Sequence, residues 1–241
     1  MNKFSLCIPT MDRYDDFLSI NLPNYIKNPF IDEIIISDEN GNDIKKIKKY
    51  IKNLNKFIFN INNRKLGAFY NKIKCCLLAK NDWIALIDSD NFADIDYFQT
   101  ANVFLNNNNI KKNSILAPCY AKPSFDYRHL QGLCFKKSNL KNIHNCRHTL
   151  IMNTGNYIIS KYLINNLKID EKNENITKTP TDVLLFNTLL FEQLELEMYI
   201  VPNLCYNHVV HDGSFYTNES NKYKNEINII HKRYYKLFNI N

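Results

Sequence analysis

The sequence predicts an α/β protein with a mixed, mainly parallel central sheet flanked by helices, and three observations predict it. Across about the first 100 residues, short apolar runs alternate with stretches of helical periodicity, the pattern of strand–helix–strand units. Each of the first four runs gives way to a polar or charged residue: Thr10, Asp38, Asn62 and Asp88. The fourth run, Trp-Ile-Ala-Leu-Ile at 83–87, is apolar throughout, as a strand covered on both faces requires, and stops at Asp88-Ser89-Asp90. In a parallel sheet the four tips share one edge and line one crevice, where open α/β sheets bind their ligands.

The elements follow in order. Residues 4–9 form a short strand ending at Thr10, with Asp12 and Arg13 just beyond. A helix from about Tyr14 carries Phe17, Leu18, Leu22, Tyr25 and Ile26 as its apolar stripe, and Pro23 predicts a kink or an early stop. The second strand, 33–37, ends in Asp38-Glu39-Asn40-Gly41, whose Asn-Gly pair marks a turn. Asp43 is placed to cap the next helix, which buries Ile44, Ile47 and Ile51. A third strand, 56–61, gives way to Asn62-Asn63-Arg64-Lys65, and a helix from about Gly67 spaces Tyr70, Ile73, Cys76, Leu77 and Leu78 for burial. From Asp94 to about Leu105 a helix carries Tyr97, Phe98, Ala101 and Phe104, then gives way to the four-Asn run 106–109.

The second half is less regular. After a strand at 114–120, residues 121–155 read as short β-like pieces, 130–135 and 149–152, among polar turns. Residues 157–160 form a strand leading into a short helix from Lys161, and 170–178 a polar loop. Thr179-Pro180-Thr181-Asp182 opens a helix whose Val183, Leu184, Leu185, Phe186, Leu189, Leu190 and Phe191 are apolar nearly all round, so it is buried. A strand at 198–201 leads through Pro202 to His208 and His211, and a last amphipathic helix starts near Lys222. No linker or internal repeat divides the chain, so 1–100 and 101–241 are two halves of one domain.

Composition excludes several classes. With 241 residues, 45% hydrophobic, the chain is long enough for one large core. Only five glycines argue against a Gly-rich phosphate loop. The formal charge of +7 is spread as lysines among acids with no Arg-rich run, which predicts a solvated surface with a modest pull on nucleotide phosphates rather than a nucleic-acid groove. No 18-residue apolar run predicts a membrane span, and the start of the chain lacks a signal peptide's apolar segment. Seven cysteines without paired spacing fit reduced thiols and a cytoplasmic location. Cys134, His144, Cys146 and His148 match no common zinc module. Asp88 and Asp90, two apart on an extended chain, point the same way and can face one divalent cation; the plainer reading is an acidic loop capping the next helix.

Taken in order, Ile8-Pro9-Thr10 with Arg13, Ser37-Asp38-Glu39, Leu66-Gly67-Ala68 with Asn71-Lys72, and Leu86-Ile87-Asp88-Ser89-Asp90 form a recognisable set. It resembles the GT-A-fold glycosyltransferases, most closely family 2 of the inverting, metal-dependent enzymes. The likeness spans about the first 100 residues and, more loosely, the last 60. It implies a Rossmann-like donor-binding half at 1–100 and an acceptor-binding half at 101–241. Thr10 and Arg13 would lie near the nucleotide, Asp38 and Glu39 at the base or ribose, and Arg64 and Asn71 beside the base and diphosphate. Asp88, with Ser89, would approach the ribose or a metal-bound water, and Asp90 would ligate the metal. The family often has two acids and then Gly-Ser after its second strand, where this chain has Asp38-Glu39-Asn40-Gly41.

The carboxy-terminal half adds two matches. Family 2 enzymes often start a helix with an acid pair whose second member is the general base; here the pair is Thr181-Asp182, so Asp182 is the candidate base. A later His before Gly-Ser matches His211-Asp212-Gly213-Ser214, so His211 would complete the metal site beside Asp90 and Asp88 or touch the diphosphate, with His208 as the competitor. The implied cofactor is Mn²⁺ or Mg²⁺, and the implied donor a nucleotide sugar, UDP being the family's commonest carrier. The acceptor would be a hydroxyl, as of a glycan, with Tyr127, His129 and Gln131 placed to line its pocket. Two rivals are weighed. A sugar-nucleotide pyrophosphorylase would carry a Gly-rich basic loop where this chain has Thr10-Met11-Asp12-Arg13. A non-catalytic nucleotide- or glycan-binding relative would have lost Asp90 or Asp182, and both are present.

Overall fold

The computed structural model describes residues 2–141, 151–169, 174–211 and 220–239. One mixed sheet runs through the domain in the order β3-β2-β1-β4-β8-β5-β9-β7, with β6 paired to the outer part of β5. The strands are β1 (Phe4–Thr10), β2 (Ile31–Asp38), β3 (Phe57–Ile61), β4 (Trp83–Leu86), β5 (Ser114–Lys122), β6 (Phe125–Asp126), β7 (Cys134–Lys136), β8 (Ile158–Ser160) and β9 (Glu197–Asn207). Strands β1 to β4 are mutually parallel, with Thr10 opposite Asp38 and Asp38 opposite Ile61. Strand β8 runs antiparallel to both β4 and β5, and β9 is parallel to β5. The carboxyl ends of β1, β2, β3, β4, β5 and β9 therefore all face one edge.

The helices are α1 (Ser19–Lys27), α2 (Asn42–Tyr50), α3 (Ala68–Leu77), α4 (Ile95–Asn107), α5 (Lys137–Leu140), α6 (Lys161–Asn166), α7 (Glu174–Thr177), α8 (Asp182–Gln193) and α9 (Lys224–Phe238). They cover both faces of the sheet, and the strands serve each face with alternate residues. Phe4, Leu6, Ile8, Ile34, Ile36, Ala85 and Ile87 pack under α1, α2 and α4. Cys7, Ile35, Ile84 and Leu86 face α3, α8 and α9. That division explains why these strands read as unbroken apolar runs.

Several local expectations are corrected. A π-helical turn, Tyr14–Leu18, precedes α1, and α1 continues through Pro23 to Lys27 instead of stopping there. Pro23 lies inside α1 and removes one ladder bond, directly after the π-helical turn. Asp43 does not cap α2: it lies inside the first turn, and the Ile44 amide is taken by Asp38. Residues 130–135 hold the end of a 3-10 turn and the start of β7, and Ile151 and Met152 are helical rather than extended. Strand β9 does not end before Pro202 but runs on to Asn207, because its register with β5 shifts beside Pro118 and absorbs the proline there. The segments 142–150, 170–173 and 212–219 lie outside the described residues, and with them His144, Cys146, His148, Gly213 and Ser214.

Candidate active site

The carboxyl edge is assembled from β1 and β2 inward. Beyond β1 the chain turns at Asp12, which takes a left-handed conformation (φ 56°) and accepts side-chain bonds of 2.8 Å from Asn40 and Asn42. Asp43, 1% exposed, reaches back to this turn. It accepts the Thr10 hydroxyl at 2.5 Å and the amides of Arg13 at 2.9 Å and Tyr14 at 2.8 Å. At the tip of β2, Asp38 is fully buried and spends both oxygens on backbone amides, Asn40 at 3.2 Å and Ile44 at 3.0 Å. Burial pushes its pKa up, and those amides pull part of the shift back.

Glu39 is different. Its Oε2 accepts the Leu66 amide at 2.7 Å, while its Oε1 is buried with no hydrogen-bond partner among the described residues. A buried carboxylate oxygen left unpaired is costly, and a ligand N–H or hydroxyl would satisfy it. Asn71 sits below this loop, donating to the Ser37 carbonyl at 3.0 Å and accepting from Asn62 at 2.9 Å. Arg64 is exposed on the loop between β3 and α3, and Arg13 is half-buried at the tip of β1.

The central strand supplies the acids. Past β4, Asp88 donates its amide to Asn156 Oδ1 at 2.7 Å, and Asn156 is held in a left-handed conformation (φ 51°) with its carbonyl accepting the Tyr97 hydroxyl at 2.7 Å. Ser89 is buried beside it. The Asp88 carboxylate meets Lys72 of α3, whose Nζ lies 2.7 Å from Asp88 Oδ1 and 2.6 Å from Asp182 Oδ2. The Lys72 ammonium is the charged partner of that Asp182 oxygen. Burial alone would lower the Lys72 ammonium, but the attraction of Asp182 and Asp88 overrides it and holds the pKa above the usual lysine range. Burial raises Asp182, Lys72 pulls it back, and the net direction is upward.

Asp90 faces the other way. Its Oδ2 lies 3.0 Å from His211 Nε2, and Phe17 packs on the imidazole with ring centres 5.1 Å apart. A backbone exchange between Phe92 and Asn207, at 3.0 and 2.7 Å, and a bond from the Val209 amide to Asn91 Oδ1 at 3.1 Å lay the end of β9 along the 90–92 loop. That strand-like pairing is what delivers His211, rather than His208, to Asp90. His208 instead packs edge-on to Phe125 of β6 at 5.1 Å. Its Nδ1 is buried without a hydrogen-bond partner among the described residues, and burial lowers its pKa. Among the described residues no three of His, Cys, Asp and Glu cluster as a metal site: Asp90 and His211 are together, and Asp88 is turned to Lys72. Of the residues placed for an acceptor, Tyr127 is buried, while His129 and Gln131 are exposed.

The same architecture occurs in solved structures. One is residues 1–349 of S. aureus TarS in complex with UDP-GlcNAc, matched with a TM-score of 0.69 at 13% identity over 97% of this chain and 66% of that one. Another is the mannosyltransferase PcManGT from Pyrobaculum calidifontis in complex with GDP-Man and Mn²⁺, with a TM-score of 0.61 at 10% identity over 89% of this chain and 59% of that one. The fold is that of GT-A-type glycosyltransferases. The chain spans about two thirds of the length of the TarS structure it matches. No family model and no curated protein matches the sequence.

Within this GT-A fold, tertiary structure brings together Asp88 with Asp182 and Asp90 with His211, and it separates Glu39 from Asp38. Lys72 and Asn156 were not singled out as site residues by sequence reasoning. Lys72 carried a usable signal: with Phe69, Ile73 and Cys76 it occupies the i, i+3, i+4, i+7 stripe that α3 buries. A lysine on such a stripe requires acidic partners. Asn156 carried a weaker one, the Gly-Asn pair at a strand start.

Proposed function

We propose that the protein is a metal-dependent, inverting glycosyltransferase that moves a sugar from a nucleoside-diphosphate donor, UDP-linked by preference, to a hydroxyl acceptor such as a glycan. The observation that carries the reading is the meeting of Asp182, first residue of α8, with Asp88, at the end of β4, across the single nitrogen of Lys72. It brings one strand-end acid, Asp88, and the helix-start acid together at the carboxyl edge of the sheet. Glu39, with its unpaired buried oxygen, is the acid offered to the base or ribose; uracil presents an N–H that suits it. Asp38 and Thr10 act one step back, shaping the loops that hold the nucleotide.

The donor set fits a hard divalent cation as a half-site. Asp90 Oδ2 and His211 Nε2, 3.0 Å apart, offer one oxygen and one nitrogen that would hold the cation, with diphosphate oxygens and water supplying the remaining donors. Mn²⁺, or Mg²⁺, would supply Lewis-acid stabilisation of the leaving diphosphate. Asp182 accepts the proton of the attacking hydroxyl as it reaches the anomeric carbon, and a single displacement inverts that centre. Asp88, held by Lys72, faces the ribose side.

A screen of UDP-, GDP- and dTDP-sugars with Mn²⁺ tests the reading. Transfer or slow donor hydrolysis is expected with at least one, and none with any donor, despite nucleotide binding, would make the protein a binding relative. In calorimetry, Asp90→Ala and His211→Ala should each abolish the Mn²⁺-dependent part of UDP binding; unchanged binding overturns the metal assignment. Asp182→Asn should keep UDP affinity and lose about 10²–10⁴ in kcat.

A further inference from the structure

The proposed nucleotide end of the crevice lies at the tips of β1 and β2, on one side of β4. On the other side, beyond β8, stands the β5–β6 hairpin. That hairpin carries Phe125, a large apolar side chain left 41% exposed. Its neighbours tie it to the site. The hairpin, the end of β9 and the Asp90 loop are hydrogen-bonded side by side. Phe125 pairs with Ala121, the His208 amide donates to the Lys122 carbonyl at 2.7 Å, and Asn207 exchanges bonds with Phe92. The His208 imidazole packs on Phe125 with ring centres 5.1 Å apart, and the charges of Asp90 and Asp88 reach the same imidazole.

Phe125 is also held in place. Buried Tyr127 lies nearly parallel to it, 13° between the ring planes, on the side toward the core. Asp126, between them, accepts the Arg128 backbone amide at 3.0 Å and its guanidinium at 2.9 and 2.6 Å. That guanidinium in turn lies over the Tyr120 ring. A single exposed apolar side chain needs no explanation on its own. One braced on its inner side, edged by an imidazole and bordering a polar crevice presents a fixed aromatic surface to what enters. The C–H face of a sugar ring suits such a surface and leaves its hydroxyls at the rim for polar partners. We propose that Phe125 is the stacking platform for the acceptor, and that the acceptor is a cyclic sugar, a pyranoside, rather than an open-chain polyol. This deepens the transferase reading above and rests on it. Glu39 and Phe125 then mark the two ends of the crevice, with Asp88 between them.

The test compares wild type, Phe125→Ala and Phe125→Trp with UDP and Mn²⁺ present. The probes are the methyl glycosides of glucose, galactose, mannose and N-acetylglucosamine in both anomeric forms, with sorbitol as the open-chain control. Saturation-transfer NMR reads the contact and needs no turnover. At least one glycoside should bind wild type through its ring C–H protons, and sorbitol should not. Phe125→Ala should weaken that glycoside about three- to tenfold, and Phe125→Trp should hold or tighten it. All three proteins should bind UDP alike and melt alike. Where Ala lowers the melting temperature, Phe125→Leu, apolar but without a ring face, carries the same expectation. Glycoside binding that Phe125→Ala leaves unchanged overturns the assignment, as does equal binding of sorbitol or no binding of any glycoside. A dimer in sedimentation that Phe125→Ala dissolves makes the patch an interface between copies and overturns it too. Glycoside binding lost in Phe125→Ala, in a protein that turns over no donor, overturns the transferase reading and leaves a glycan-binding surface standing.

Discussion

Three neighbouring acids, Asp38, Glu39 and Asp43, divide the labour at the tips of β1 and β2. Asp43 is structural: it gathers the Thr10 hydroxyl and two amides that would otherwise be buried unpaired. Asp43→Ala should therefore lower stability by more than about 2 kcal/mol, measured by urea unfolding, since each orphaned buried donor costs roughly 1–3 kcal/mol. Glu39 is the functional member, with one oxygen anchored on Leu66 and the other unspent. Glu39→Gln should weaken UDP binding by about tenfold, near 1.4 kcal/mol, with the melting temperature little changed. A fall in melting temperature with unchanged UDP affinity would return Glu39 to a purely structural role.

Elements carry the next level of decision. Helix α3 is amphipathic in the ordinary way, yet its buried stripe includes a lysine, and that departure from pattern marks the site. Strand β9 is the longest in the sheet, and its start is pinned by Glu197, whose Oε1 takes Lys111 and Lys136 at 2.9 Å each while Oε2 takes the Tyr199 hydroxyl at 2.7 Å. Burial opposes the Glu197 charge, but these donors outweigh it and bring the pKa down to about 2. The folded value lies below the unfolded one, roughly 4.3, so the stabilisation is complete above the unfolded value and is lost as pH falls through about 2. Glu197→Gln should cost about 1.5–3 kcal/mol at pH 7, less whatever solvent screening of the two exposed lysines removes. The gap between variant and wild type should close progressively below about pH 4 in acid-unfolding curves.

At the scale of the molecule, the sheet order and the two helical layers create the site by superposition. Strand β8, antiparallel between β4 and β5, brings Asn156 beside Asp88, and α8 then starts close by. Helix α9 packs on α8 through Ile230, Tyr234 and Phe238, all nearly fully buried. Burying each such side chain contributes about 1.5–3 kcal/mol, so together they rival the stability of a whole domain. Truncation before Lys224 should abolish cooperative thermal unfolding and expose apolar surface to a hydrophobic dye. A truncated chain that melts as sharply as the full one would show that α9 is dispensable.

Much of the fold was legible because its signals are local. Apolar runs ending at Thr10, Asp38, Asn62 and Asp88 need only backbone periodicity to be read as parallel strands with a shared edge, and the ordered motifs add the GT-A resemblance. The continuation of β9 past Pro202 was not legible, since a proline is tolerated there only through a register shift against its partner. Asp88, Asp90, Asp182 and His211 were legible as residue types in telling positions. Their pairing was not, because it depends on which side chain fills the space between them. A sequence states that a chain has acids at strand ends and a lysine on a buried stripe. Only the tertiary structure put one ammonium between Asp88 and Asp182, laid His211 on Asp90, and left Glu39 rather than Asp38 with an oxygen unpaired among the described residues, since charge and hydrogen-bond satisfaction are settled by neighbours distant in the chain.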